Sequence, residues 1–109
     1  MHSYFKNLYH EIENDKELLL ELTVDFQTIF QDSFQNLIHA IEIKDYYIIE
    51  RIAHKLKGAS MNFNIPEFTN AAQEIESIGK YKLETDVTQY LEILKEEYIK
   101  FKNKSNELR

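Results

Sequence analysis

Gly58, Gly79 and Pro66 are the only glycines and the only proline in a chain of 109 residues. A many-stranded fold needs frequent turns and draws on these two residue types to make them. Their scarcity therefore points to a few long helices joined by short connections. The apolar pattern agrees. From Lys16 to about Ile43, the residues Leu19, Leu22, Phe26, Ile29, Phe30, Phe34, Leu37, Ile38 and Ile41 keep the i, i+3, i+4, i+7 spacing of one helix face. Ahead of them, Phe5, Leu8, Tyr9 and Ile12 predict a short amphipathic helix within Met1 to Glu13, and Asn14-Asp15 supplies a break and a start signal. Lys44-Asp45 predicts a tight connection, with Asp45 as N-cap of a helix running to about Phe63.

Asn64 tolerates the left-handed conformation that ends helices, and Pro66 suits a first helical position. The helix that follows carries Phe68, Ala71, Ala72 and Ile75 inward to about Ile78, with Gly79 as its expected stop. Val87, Tyr90, Leu91, Leu94, Tyr98 and Phe101 mark a last helix to about Asn103, and the polar tail NKSNELR is expected to fray. The expected fold is all-α: an up-down-up-down four-helix bundle with a short additional N-terminal helix closing one end, a single domain over residues 1–109.

Charge and composition narrow the function. A formal net charge of −6 argues against a nucleic-acid partner, which needs a basic face to neutralise phosphates. With no cysteine there is neither a disulfide framework nor a thiolate metal site, which suits a reducing cytoplasm. No apolar run approaches the roughly 18 residues of a spanning helix, and no signal-peptide core is visible at the N-terminus, so the expected location is cytoplasmic with no membrane association. The initiating Met1 and the length favour a free-standing protein, taken as a monomer.

The stretch DYYIIERIAHKLKGASMNFN, Asp45 to Asn64, separates into two faces when wound as a helix. Ile52, Leu56, Ala59 and Phe63, with Ile49 nearby, form the expected core stripe. His54, Lys57, Gly58 and Met61 fall opposite, flanked by Tyr47, Glu50 and Arg51. A mid-helix glycine costs about 1 kcal/mol relative to alanine, so this helix gives up stability beside its histidine.

Within that stretch AHKLKGAS resembles the histidine-containing phosphotransfer (HPt) domains of bacterial and fungal phosphorelays, matching at Ala53, His54, Leu56, Lys57, Gly58 and Ser60. Downstream, AAQEIESIGK is similar to the family's next helix, with its Ile75-Glu76 pair and closing Gly79. The match covers about Ile49 to Lys80. It departs at Asn64, where the family usually has glycine, and asparagine is the next-best residue for a left-handed turn.

The resemblance implies a phosphorelay carrier in a two-component system. His54 would accept a phosphoryl group from an aspartyl phosphate on one receiver domain and pass it to another. The implied partners are response-regulator receiver domains and a hybrid sensor kinase, with Mg²⁺ on the receiver and no cofactor or metal on this chain. Having no ATP-binding motif, the chain would be a carrier and not an autonomous enzyme. The residue types suit that chemistry. Neutral imidazole is nucleophilic at its unprotonated nitrogen, and phosphoryl transfer rests on positioning and on stabilising charge on the equatorial oxygens. Lys57, one turn on, can supply positive charge, and Gly58 removes bulk in front of an incoming partner. Glu76 aligns with a family position near the histidine, where its carboxylate could take the Nδ1 hydrogen and leave Nε2 to attack. Its bland alternative is a surface pair with Lys80. Tyr47 and Met61 are expected as apolar partner contacts, and Lys80 as a basic one.

Two other classes compete. A di-iron bundle needs Glu-x-x-His pairs projecting inward, and the chain contains none. A helical adaptor that binds a receiver or other partner without phosphoryl transfer would not need His54, Lys57 and Gly58 together.

Overall fold

The computed structural model describes residues 1–109. Five helices follow in order: α1 (Lys6–Glu11), α2 (Lys16–Glu42), α3 (Tyr46–Ser60), α4 (Pro66–Tyr81) and α5 (Thr88–Asn106). The starts of α2 and α3 are set by side-chain caps. Asp15 Oδ1 accepts from the Leu18 amide at 3.0 Å and Asp45 Oδ1 from the Ile48 amide at 3.2 Å, each satisfying a first-turn N–H that has no intrahelical partner. Left-handed residues make the bends: Glu13 and Asn14 before α2, and Lys44 before α3. Pro66 opens α4, where its missing N–H is of no consequence.

Each long helix packs on the next, and α5 returns against α2 to close the bundle. Pairings that run in opposite directions along two helices fix the topology. Along α3 and α4, Glu50 meets Gly79, His54 meets Glu76, Lys57 meets Gln73 and Ser60 meets Thr69. Across α2 and α5, Phe26 meets Phe101 and Phe30 stacks on Tyr98. The result is the expected up-down-up-down bundle. Its core holds Leu19, Phe26, Leu37, Leu56, Phe68, Ile75, Leu94 and Phe101, all essentially inaccessible to solvent, and no helix is long and apolar enough to cross a membrane.

One end is dense in aromatics. Phe5 is fully buried and lies edge-on to Phe63 and tilted against Phe101, while the Asn64 amide donates to Tyr4 O at 3.1 Å. The N-terminal segment is thus tied across the α3–α4 turn by both burial and a backbone hydrogen bond. It is shorter than expected, with α1 confined to Lys6–Glu11.

Several boundaries differ from expectation, each for a packing reason. Helix α3 stops at Ser60, and Asn64 does not take up a left-handed conformation, because a hydrogen bond to Tyr4 directs the turn instead. The inward stripe of α3 is Ile49, Ala53, Leu56 and Ser60, so Ile52 and Ala59 are only half-buried. Ser60 is tolerated inside because its hydroxyl donates to Lys57 O at 2.7 Å or pairs with Thr69 Oγ1 at 2.7 Å.

Gly79 does not end α4. The helix continues to Tyr81 and is closed by Lys82 in the left-handed region, while Gly79 lies buried where α4 crosses the start of α3. A Cβ there would sit 2.6 Å from the Glu50 nitrogen and 2.9 Å from the Tyr46 oxygen. The C-terminal tail is likewise not frayed: α5 runs to Asn106, with Ser105 and Leu108 buried. Phe101, Ser105 and Leu108 keep helical spacing and continue the buried stripe.

Candidate functional site

Helix α3 presents His54 outward, its side chain 69% exposed. Behind the ring, Glu76 projects from α4, 14% exposed, and its Oε2 lies 2.6 Å from His54 Nδ1. The other carboxylate oxygen accepts from Lys57 Nζ at 2.5 Å, and the same ammonium donates to Gln73 Oε1 at 3.0 Å. Gln73 in turn donates from Nε2 to Ser77 Oγ at 3.2 Å. Because α3 and α4 run antiparallel, a step of three along one is answered by a step of three back along the other. His54 therefore faces Glu76, and Lys57 faces Gln73.

Burial would push the Glu76 carboxyl up, since a dry charge is unfavourable. The hydrogen bonds from Lys57 and His54 and their nearby charge outweigh it and hold Glu76 below the usual carboxylate range. An ionised carboxylate can only accept, so Nδ1 of His54 carries the hydrogen, and in the neutral ring Nε2 keeps its lone pair. Nε2 has no hydrogen-bond partner within the chain. In the neutral ring this contact favours the Nδ1–H tautomer and leaves Nε2 unpartnered on an exposed side chain.

The surroundings of the ring are open. Gly58, one turn on, has no atom within 4 Å of where its Cβ would be. Tyr47 and Met61 are each 66% exposed. A cleft of about 870 Å³ beside the ring is lined by Asp32 from α2, Arg51, His54 and Lys55 from α3, and Glu76 and Lys80 from α4.

Of the residues singled out from sequence, His54, Lys57 and Glu76 meet directly, and Gly58, Tyr47 and Met61 lie on the exposed face around them. Lys80 lines the cleft but does not pair with Glu76; its ammonium lies over the Tyr81 ring, 5.4 Å from the centroid. Lys57 is not a free cation, being 21% exposed and bound to Glu76 and Gln73. Gln73 was not among the expected site residues. No sequence pattern marks it; its place one turn before Glu76 on α4 matters only because the register of α3 on α4 brings it to Lys57.

Fold and site together define a small antiparallel helical bundle in which one of the exposed histidines, His54, is backed by a carboxylate and a lysine. The family model of the Hpt domain matches residues 17–103, most of the length, and the chain belongs to that family. Its members are phosphotransfer carriers of two-component signalling and not catalytic enzymes, and they interact with receiver domains and kinases. No curated protein and no solved structure matches the chain.

Proposed function

We propose that residues 1–109 form one phosphorelay carrier domain in which His54 is the phosphoacceptor. The observation that carries this is the 2.6 Å contact of His54 Nδ1 with Glu76 on an exposed ring, which in the neutral form puts the hydrogen on Nδ1 and the lone pair on Nε2. In the loading step the Nε2 lone pair forms a bond to the phosphorus of an aspartyl phosphate on a receiver. The bond from phosphorus to the aspartyl oxygen breaks, and its electron pair returns to that carboxylate. The ring becomes cationic as the new bond forms, and Glu76 stabilises that charge through Nδ1–H. Unloading to a second receiver reverses these roles.

Lys57 keeps Glu76 ionised and stands one turn from the ring, where phosphoryl oxygens can compete for its ammonium. Gly58 leaves room for the partner surface, with Tyr47, Met61 and Lys80 as contacts around it. The contact with a receiver is expected to bury under about 1,200 Å² in total, since a carrier must release each partner. Mg²⁺ belongs to the receiver in this reading, and the relay is cytoplasmic.

The test is incubation with a phosphorylated receiver domain while following the label. Wild type should become labelled and His54→Gln should not. Equal labelling of both would exclude His54, and receiver binding without any label would leave a helical adaptor.

A further inference from the structure

Lysine is an awkward residue to use as a fixed charge. Its four-carbon stem turns freely, and an exposed ammonium trades one partner for another easily. Lys44, Lys100 and Lys104 behave in that way: each pairs with one glutamate and stays open to solvent, at 66%, 62% and 40% exposed. Lys57 differs. Its side chain is drawn down to 21% exposed, and besides Glu76 its ammonium bonds a second acceptor, Gln73 Oε1, at 3.0 Å.

Three residues of α4 build that seat. Gln73, Glu76 and Ser77 stand at i, i+3 and i+4, so they share one face of the helix. Gln73 is itself held, because its Nε2 donates to Ser77 Oγ at 3.2 Å while its Oε1 faces Lys57. The opposite amide orientation would set two donors against each other. Glu76 divides its carboxylate between Lys57 and His54, so the place of the ammonium decides how that carboxylate is turned toward the ring. Gln73 makes no hydrogen bond to His54. Without Gln73 the ammonium would keep a single protein acceptor and be free to leave Glu76 for water.

We propose that Gln73 is a positioning residue: it holds the Lys57 ammonium on Glu76 and, through Glu76, sets the orientation and hydrogen placement of the His54 ring. Its effect on transfer rests on the phosphotransfer reading above. Ser77 supports it by fixing the amide.

The experiment compares wild type with Gln73→Ala, Gln73→Met, Lys57→Ala and the double variant Lys57→Ala with Gln73→Ala. Methionine keeps the length and helix propensity of glutamine without a comparable acceptor. The titration of Glu76, followed by the ¹³C shift of its carboxyl, should move up toward the ordinary carboxylate range in both Gln73 variants. With a receiver domain loaded with radiolabelled acetyl phosphate, both should lower the maximal transfer rate about two- to tenfold, the net worth of one hydrogen bond, with KM unchanged. In the Lys57→Ala background Gln73→Ala should change nothing further, because the residue acts through that lysine. An unmoved Glu76 titration would overturn the proposal, as would a Gln73→Met protein equal to wild type. A Gln73→Ala loss that persists without Lys57 would also overturn it, and a rise in KM alone would make Gln73 a receiver contact instead. If wild type takes label from no receiver, the phosphotransfer reading fails, while the Glu76 titration still decides whether Gln73 holds Lys57.

Discussion

Alanine at each of the two glycines should move stability in opposite directions. At Gly58 an added Cβ meets no atom within 4 Å, so the substitution only removes the conformational freedom of a mid-helix glycine. That is worth about 1 kcal/mol, or about 4 °C in melting temperature for a domain of this size. Gly79→Ala brings the same helical gain against a severe clash. Its Cβ would lie 2.6 Å from the Glu50 nitrogen and 2.9 Å from the Glu50 Cα and the Tyr46 oxygen, all backbone atoms of α3 that no rotamer change can clear.

Reaching the 3.4 Å of ordinary contact takes about 0.8 Å of helix separation. Overpacking of this kind costs about 1–3 kcal/mol, so the net effect is a loss of up to about 2 kcal/mol. The displaced helix also carries Glu76, one turn before Gly79. The same separation would stretch the 2.6 Å contact with His54 beyond hydrogen-bond length. Thermal unfolding followed by circular dichroism tests the stability signs, and the ¹⁵N shifts of the His54 ring test the tautomer. A Gly79→Ala protein as stable as wild type with the ring unchanged would refute the close-packing account. A destabilised Gly58→Ala would refute the open-face account.

Three further outcomes follow from the geometry. Lys57→Ala should keep the fold but free Glu76 from one of its two partners, slowing transfer or shortening the life of phosphohistidine in a label-decay assay. Because Glu76 is held below its ordinary value of 4.5, the stability it contributes is complete above that pH and is lost as pH falls through the lower folded value. A Glu76→Gln variant should therefore show a flatter acid limb than wild type when unfolding free energy is measured from pH 7 downward. Deleting residues 105–109 removes buried Leu108 and should cost about 1.5–3 kcal/mol in urea unfolding, whereas a frayed tail would cost nothing.

The helix starts were the most readable part of the sequence. Asp15, Asp45 and Pro66 each solve a local problem of unpaired amides, and local problems leave local signatures. The ends were harder. A glycine near the end of an apolar run fits both a left-handed stop and a close crossing, and only the backbone of α3 above Gly79 decides between them. The tail looked polar because one buried leucine and one buried serine, spaced as a stripe, are diluted by lysine and asparagine.

At the site, His54, Lys57 and Gly58 stood out because they share one helix at fixed spacing. Glu76 could be placed through the family resemblance. Gln73 could not, since a glutamine on an exposed helix face has no pattern of its own and gains meaning only from the register of α3 on α4.

The outward ring of His54 sits on a single face of one helix, so a donor and an acceptor receiver cannot occupy it together. On the proposed function, transfer through this chain is then ping-pong, with the loaded carrier a discrete species that must diffuse between visits. Each receiver is a competitive inhibitor of the other. An excess of the downstream protein would slow loading from the upstream one merely by occupancy, so the stoichiometry of the three proteins, as much as any rate constant, would set how much signal reaches the output.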